Sequence, residues 1–191
     1  MKPQNNIALK EWAVVCKGLE EGRQTILLKK GGIQEEGGEF KPENSEFFLY
    51  PTFEHESVKD IKPDWGPRLA AIEKENKDPK RVHFRLYAVA EKVEKVTDWE
   101  ACKRLVPFTV MSEAAIEKRF NYGDWQGLYV FIVRVYSLPV PLELPIKPAY
   151  AGCKSWVPLG TSMFTAGSFA VLPEEAWPYT RDKIIKVIHT A

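Results

Sequence analysis

Val82-His83-Phe84-Arg85-Leu86-Tyr87-Ala88-Val89-Ala90 opens the stretch Val82–Val96, the strongest β signal in the chain. Phe84, Leu86, Ala88 and Ala90 recur at every second position, the period with which side chains return to one face of a strand. The alternation runs on into Val93 and predicts one long strand that can bend. Leu128–Leu138, rich in Tyr, Phe, Ile and Val, reads as a second, ended by Pro139 and Pro141.

The elements around these two strands alternate between helix and strand without a repeating βαβ rhythm. Leu9, Trp12, Ala13, Cys16 and Leu19 share one helical face, so the spacing predicts a helix over Ala8–Glu21 stopped by Gly22. A hairpin over Ala13–Lys30, turning at Glu20–Gly22, fits the same residues. Thr25-Ile26-Leu27-Leu28 predicts a buried strand within Gln24–Lys30, and Glu46–Tyr50 another closed by Pro51. The glycine-rich, acidic stretch Gly31–Ser45 reads as a loop. Helices are expected at Pro67–Glu75, from an Asp98 cap to Leu105, from a Ser112 cap over Glu113–Phe120, and at Arg181–His189. Lys147–Pro173 reads as coil and short strands. The expected fold is α+β, a single domain over residues 1–191 with a mixed or mainly antiparallel sheet and packed helices.

Composition sets outer limits on function. Of 191 residues 45% are hydrophobic, with six Trp, seven Tyr and ten Phe, enough for a packed core. Lys plus Arg number 27 against 26 Asp plus Glu, so no basic excess suits the coating of long nucleic acid. The N-terminus shows no secretory pattern, and the apolar run Leu128–Val133 is too short to span a bilayer. Cys16, Cys102 and Cys153 are too widely spaced for a metal or redox pair, and reduced thiols in a cytoplasm are expected. No cofactor and no metal site is expected, and no GxGxxG, P-loop, HExxH or GxSxG motif occurs.

Three stretches could carry chemistry. In Gly22–Lys30, a strand ending in Lys29 and Lys30 would aim two cations at one end of a sheet, with the Gly31-Gly32 amides beside them. The same residues also read as solvated charges before a turn. In Glu46–Glu56, Tyr50, Thr52, Glu54 and His55 lie close in sequence, and an imidazole beside carboxylates suits general base work. An exposed turn is the plainer alternative. In Lys147–Trp156, Tyr150, Lys154 and Trp156 combine rings with a cation, as stacking on a base requires. Such rings also serve as core packing. Asp64, Glu75 and Lys77 spell a nuclease-like set, which would need to converge on one metal.

Trp12-Ala13-Val14-Val15-Cys16-Lys17, Leu27-Leu28-Lys29-Lys30-Gly31-Gly32-Ile33, Leu49-Tyr50-Pro51-Thr52 and Ala149-Tyr150-Ala151-Gly152-Cys153-Lys154-Ser155-Trp156 resemble a bacterial family known as a domain of unknown function, DUF1802. That resemblance implies no particular activity. A more distant likeness is to the PUA and ASCH group of small β-barrel domains, whose GxKxxExR stretch follows a helix over a cleft for RNA or modified nucleosides. This chain has Gly22, but Gln24 stands in place of the Lys, Leu27 of the Glu and Lys29 of the Arg. The likeness implies a partly open PUA-like barrel and removes the acid/base glutamate.

These readings converge on a binding module for RNA or a nucleotide-like ligand. Lys29 and Lys30 would hold phosphate, and Tyr150, Trp156 and Lys154 would orient a base. A hydrolase or metal-dependent nuclease using His55 with Glu54, or the Asp64 set, is the rival. An interaction subunit presenting the aromatics of Trp125–Tyr136 or Tyr150–Trp156 is the third reading. Charged residues concentrate before Arg81 and aromatic, uncharged ones after Phe120, so a site is expected where the two halves meet.

Overall fold

A computed structural model describes residues 1–31, 33–36, 39–54, 56–75, 78, 80–152 and 154–190, with the backbone alone over 33–36 and 39–41. Gly32, His55, Lys77 and Cys153, named above, lie outside the described residues.

The long alternating stretch is β6, Arg81–Val96, paired antiparallel with β7, Leu128–Pro145. The register slips between Phe84 and Leu86, where Phe84 faces Leu142 but Leu86 faces Ser137. Pro139 and Pro141 fall inside that slip, where a missing N–H costs no ladder bond. The strand therefore continues beyond the prolines expected to end it. The bulge also moves β6 side chains between faces: Val82, Phe84 and Tyr87 join one core, Leu86 and Ala88 the other.

At the N-terminus β1 spans Gln4–Trp12 and helix α1 only Ala13–Glu20, so the expected helix starts five residues late. Ala8 is 0% and Leu9 1% exposed because β1 is buried on both faces, Ala8 in one core and Leu9 in the other. A strand covered on both sides loses its polar alternation, and its apolar residues then imitate a helical face.

The remaining elements follow in chain order. β2 is Ile26–Lys29, and β3 (Ile33–Glu36) pairs with β4 (Glu39–Pro42) in a small sheet where a loop was expected. β5 is Glu46–Thr52 and α2 Gly66–Glu75. Helix α3, Trp99–Lys103, is capped by Asp98, and α4, Glu113–Phe120, by Ser112, as their sequences suggest. β8 (Trp156–Phe164) and β9 (Phe169–Ala170) organise the expected coil, and α5 covers Ala176–His189.

The main sheet has the order β2-β7-β6-β5-β1-β8, with β9 on β7. β1 and β5 run parallel while its other pairs are antiparallel. The fold is α+β with an open, mainly antiparallel sheet. The helices supply Val14, Leu69, Ile116 and Ile184 to the larger core on one face. Phe48, Phe84, Tyr87, Tyr150 and Leu159 form the smaller core on the other. Among the described residues no helix is long and apolar enough to cross a membrane.

Candidate ligand cleft

Where β5 leaves the sheet and β6 enters it, α1 and α2 do not fully cover the strands. The gap is a cleft of about 720 Å³, floored by Leu49 and Leu86 and flanked by Phe53, Ile72 and Ile146. That volume lies in the range of small-molecule sites.

Tyr50 and Tyr150 shape one end. Their rings meet edge to face at 6.2 Å, and the Tyr150 hydroxyl donates to the Leu159 carbonyl at 2.7 Å. Burial pushes the Tyr50 phenol above its ordinary range, with Glu54 and Tyr150 adding to the shift. Lys10 Nζ lies 5.9 Å from the Tyr50 ring centre, donates to the Gly152 carbonyl at 3.0 Å and pairs with Glu54 at 3.6 Å. The Thr52 hydroxyl accepts the Glu54 N–H at 3.1 Å, closing the turn after β5.

The helical wall is charged but largely self-paired. Lys17 meets Glu20 at 2.7 Å, and Arg68 meets Glu21 at 3.2 Å while lying over the Trp65 ring. The β6 wall contributes Arg81, His83 and Arg85.

Beneath the cleft, Glu56 accepts the Val14 N–H at 2.9 Å, giving α1 the cap that Trp12 lacks. Burial raises its carboxyl to about 7; the Val14 bond opposes this, and Glu11 and Glu73 reinforce it. The Cys16 thiol lines the cleft, but burial and the nearby Glu11 push it well above its ordinary range. It is therefore no thiolate nucleophile near neutral pH. Among the described residues no group of three His, Cys, Asp or Glu side chains could hold a metal.

The model of one family matches residues 8–182, nearly the whole chain. The chain belongs to the DUF1802 family, a domain of unknown function. No curated protein matches it. Among solved structures it is similar to ASCH from Zymomonas mobilis, at 13% identity and a TM-score of 0.43 over 94% of this chain and 92% of that one. A serine-to-alanine mutant of the Zymomonas mobilis protein gives 12% identity and a TM-score of 0.44 over 93% and 94%.

Within this DUF1802 chain, Tyr50, Thr52, Glu54 and Tyr150 are brought together at the cleft, and Lys29, Lys30, Lys154 and Trp156 are not among its lining residues. Lys29 is buried, pairs with Glu11 at 2.6 Å and donates to the Lys10 carbonyl at 2.9 Å. Although burial alone would raise Glu11, Lys29 and Arg119 hold its carboxyl below the ordinary value. Lys30 donates to the carbonyls of Phe120, Trp125 and Gly127 and lies 4.3 Å from the Trp125 ring centre. Lys154 is exposed, and Trp156 packs edge-on against Phe47 at 5.1 Å.

Asp64 precedes α2 and Glu75 ends it, a separation on the order of 15 Å at the helical rise, too far to share one metal. Of the aromatics considered for a partner surface, Phe131 and Tyr150 are buried and Trp125, Tyr129, Tyr136 and Trp156 half-buried. Sequence reading missed Arg81, His83 and Arg85. The signal for them was present, as polar residues at every second position opposite Val82 and Phe84.

Proposed function

We propose that this chain is a single-domain cytoplasmic binding module and that the cleft takes RNA or a nucleotide-like ligand. The observation carrying this reading is the lining: an apolar floor and the half-exposed Phe53 ring beside cationic side chains, in about 720 Å³. A flat base suits the surface between Phe53, Ile72 and Ile146, since stacking on an aromatic face tolerates any base. Tyr50, Thr52 and Tyr150 act by shaping and closing that end rather than by offering open ring faces, because both tyrosines are buried. In this reading Lys29 and Lys30 hold the scaffold together, and the cations that meet ligand come from the cleft wall.

Titration of the full chain with labelled oligoribonucleotides and with nucleoside monophosphates tests the proposal. Saturable binding, weakened by Phe53→Ala in a variant that keeps its melting temperature, is the expected result. Absence of saturable binding to every probe would overturn it.

A further inference from the structure

We infer that the β6 wall of the cleft is a subsite for a terminal phosphate monoester, an inference that rests on the nucleotide-like reading above. Arg81, His83 and Arg85 take alternate positions on β6, and all three line the cleft. Arg81 and His83 share one strand face about 6.6 Å apart, and Arg85, in the register slip before Leu86, joins them by lining the same cleft.

The other cations of the cleft already have partners. Lys10 is held by Glu54 and the Gly152 carbonyl, Lys17 by Glu20, and Arg68 by Glu21. Arg81 pairs with Glu143, which also sits opposite His83 in the β6–β7 ladder. Arg85 is exposed, His83 is half-buried, and neither side chain forms an ion pair or hydrogen bond among the described residues. An unpaired guanidinium and an imidazole lining one cleft are suited to a phosphate: the guanidinium offers a planar fork of donors, and the ring adds another N–H.

Charge and size favour an end group over a run of internal diesters. The formal net charge of the chain is only +1, whereas binding many backbone phosphates calls for many cations. A monoester carries close to two negative charges near neutral pH and three terminal oxygens, so it offers the Arg85 fork and the His83 ring more acceptor oxygens than a diester does. The shared chemistry is thus the phosphorylated end of a nucleotide, free or at the terminus of a short RNA.

Calorimetry on the full chain can compare a nucleoside, its 5′-monophosphate, inorganic phosphate, and tetraribonucleotides ending in 5′-phosphate or 5′-hydroxyl. One charged hydrogen-bonded contact should make the monophosphate bind about tenfold more tightly than the nucleoside. Arg85→Ala should cut that gap to about threefold or less, and His83→Asn should reduce it partially. Arg85 is exposed and unpaired, so its variant should fold normally, as its melting temperature will show. A matching preference for the 5′-phosphorylated tetranucleotide supports a chain end as the source. A preference confined to the mononucleotide supports a free nucleotide, and competition by inorganic phosphate supports the subsite in either case. Equal binding of nucleoside and monophosphate overturns the subsite and leaves the nucleotide-like reading standing. Failure of every nucleoside-containing probe to bind overturns that reading itself.

Discussion

The Glu56 carboxylate accepts the backbone N–H of Val14, 42 residues earlier in the chain, at 2.9 Å. It thereby ties the segment leaving β5 to the start of α1, two sides of the cleft. Its second oxygen is buried and has no hydrogen-bond partner among the described residues. Burial, Glu11 and Glu73 raise the carboxyl from 4.5 to about 7. The native state therefore holds this proton more tightly than the unfolded chain. The stabilisation from protonation is complete below about 4.5 and is lost as pH rises through about 7. After discounting for partial solvent exposure, the loss is on the order of 1 kcal/mol. Glu56→Gln keeps an acceptor for Val14 and removes the ionisation. Urea unfolding at pH 5 and pH 8 should show the variant gaining stability relative to the wild type at pH 8. An identical pH dependence in both proteins would exclude this role.

The Lys29–Glu11 pair makes a second prediction. Glu11 is 4% and Lys29 9% exposed, so removing one partner strands the other charge out of water. Lys29→Met should cost about 3–5 kcal/mol in denaturant unfolding, and adding Glu11→Gln should recover much of it. If the double variant were no more stable than Lys29→Met, the pair would not be the source of the loss.

A third prediction concerns the turn into β7. Gly127 has φ 137°, and a Cβ there would lie 2.7 Å from the Val96 carbonyl oxygen. The same turn is clamped by the Lys30 ammonium through three carbonyls. Gly127→Ala should destabilise by more than about 2 kcal/mol, since backbone cannot yield as a side-chain tip can. Lys30→Met should cost about 1–3 kcal/mol by leaving carbonyls unsatisfied. Differential scanning calorimetry of both variants checks the pair of expectations, and wild-type melting in either would refute its part.

Legibility in the sequence followed burial. Asp98 and Ser112 announced α3 and α4 because capping is local chemistry, and β6 announced itself because most of its length keeps a polar side. β1 hid behind its two buried faces, so Leu9 and Trp12 fell into step with the real helix that begins at Ala13. β8 was read as irregular because Pro158 and Gly160 interrupt it, though Val157, Leu159 and Met163 alternate toward the smaller core.

At the cleft, the contiguous group Tyr50, Thr52 and Glu54 was visible as a cluster, and Tyr150 as a ring in a quiet stretch. Lys29 and Lys30 looked exposed because nothing local shows that Glu11 and the carbonyls of Phe120, Trp125 and Gly127 will receive them. The β6 row escaped notice for a different reason. Its residues alternate with core side chains, so they gather only once the strand is drawn with two faces.

The claim that this cleft is the binding site is tested most directly by amide chemical-shift mapping during titration with a nucleoside 5′-monophosphate. Binding there should give saturable shifts concentrated at Thr52, Phe53, Ile72, His83, Arg85 and Ile146, which line the cleft. Shifts centred away from it, or none at millimolar nucleotide, would show that the cleft is not the binding site.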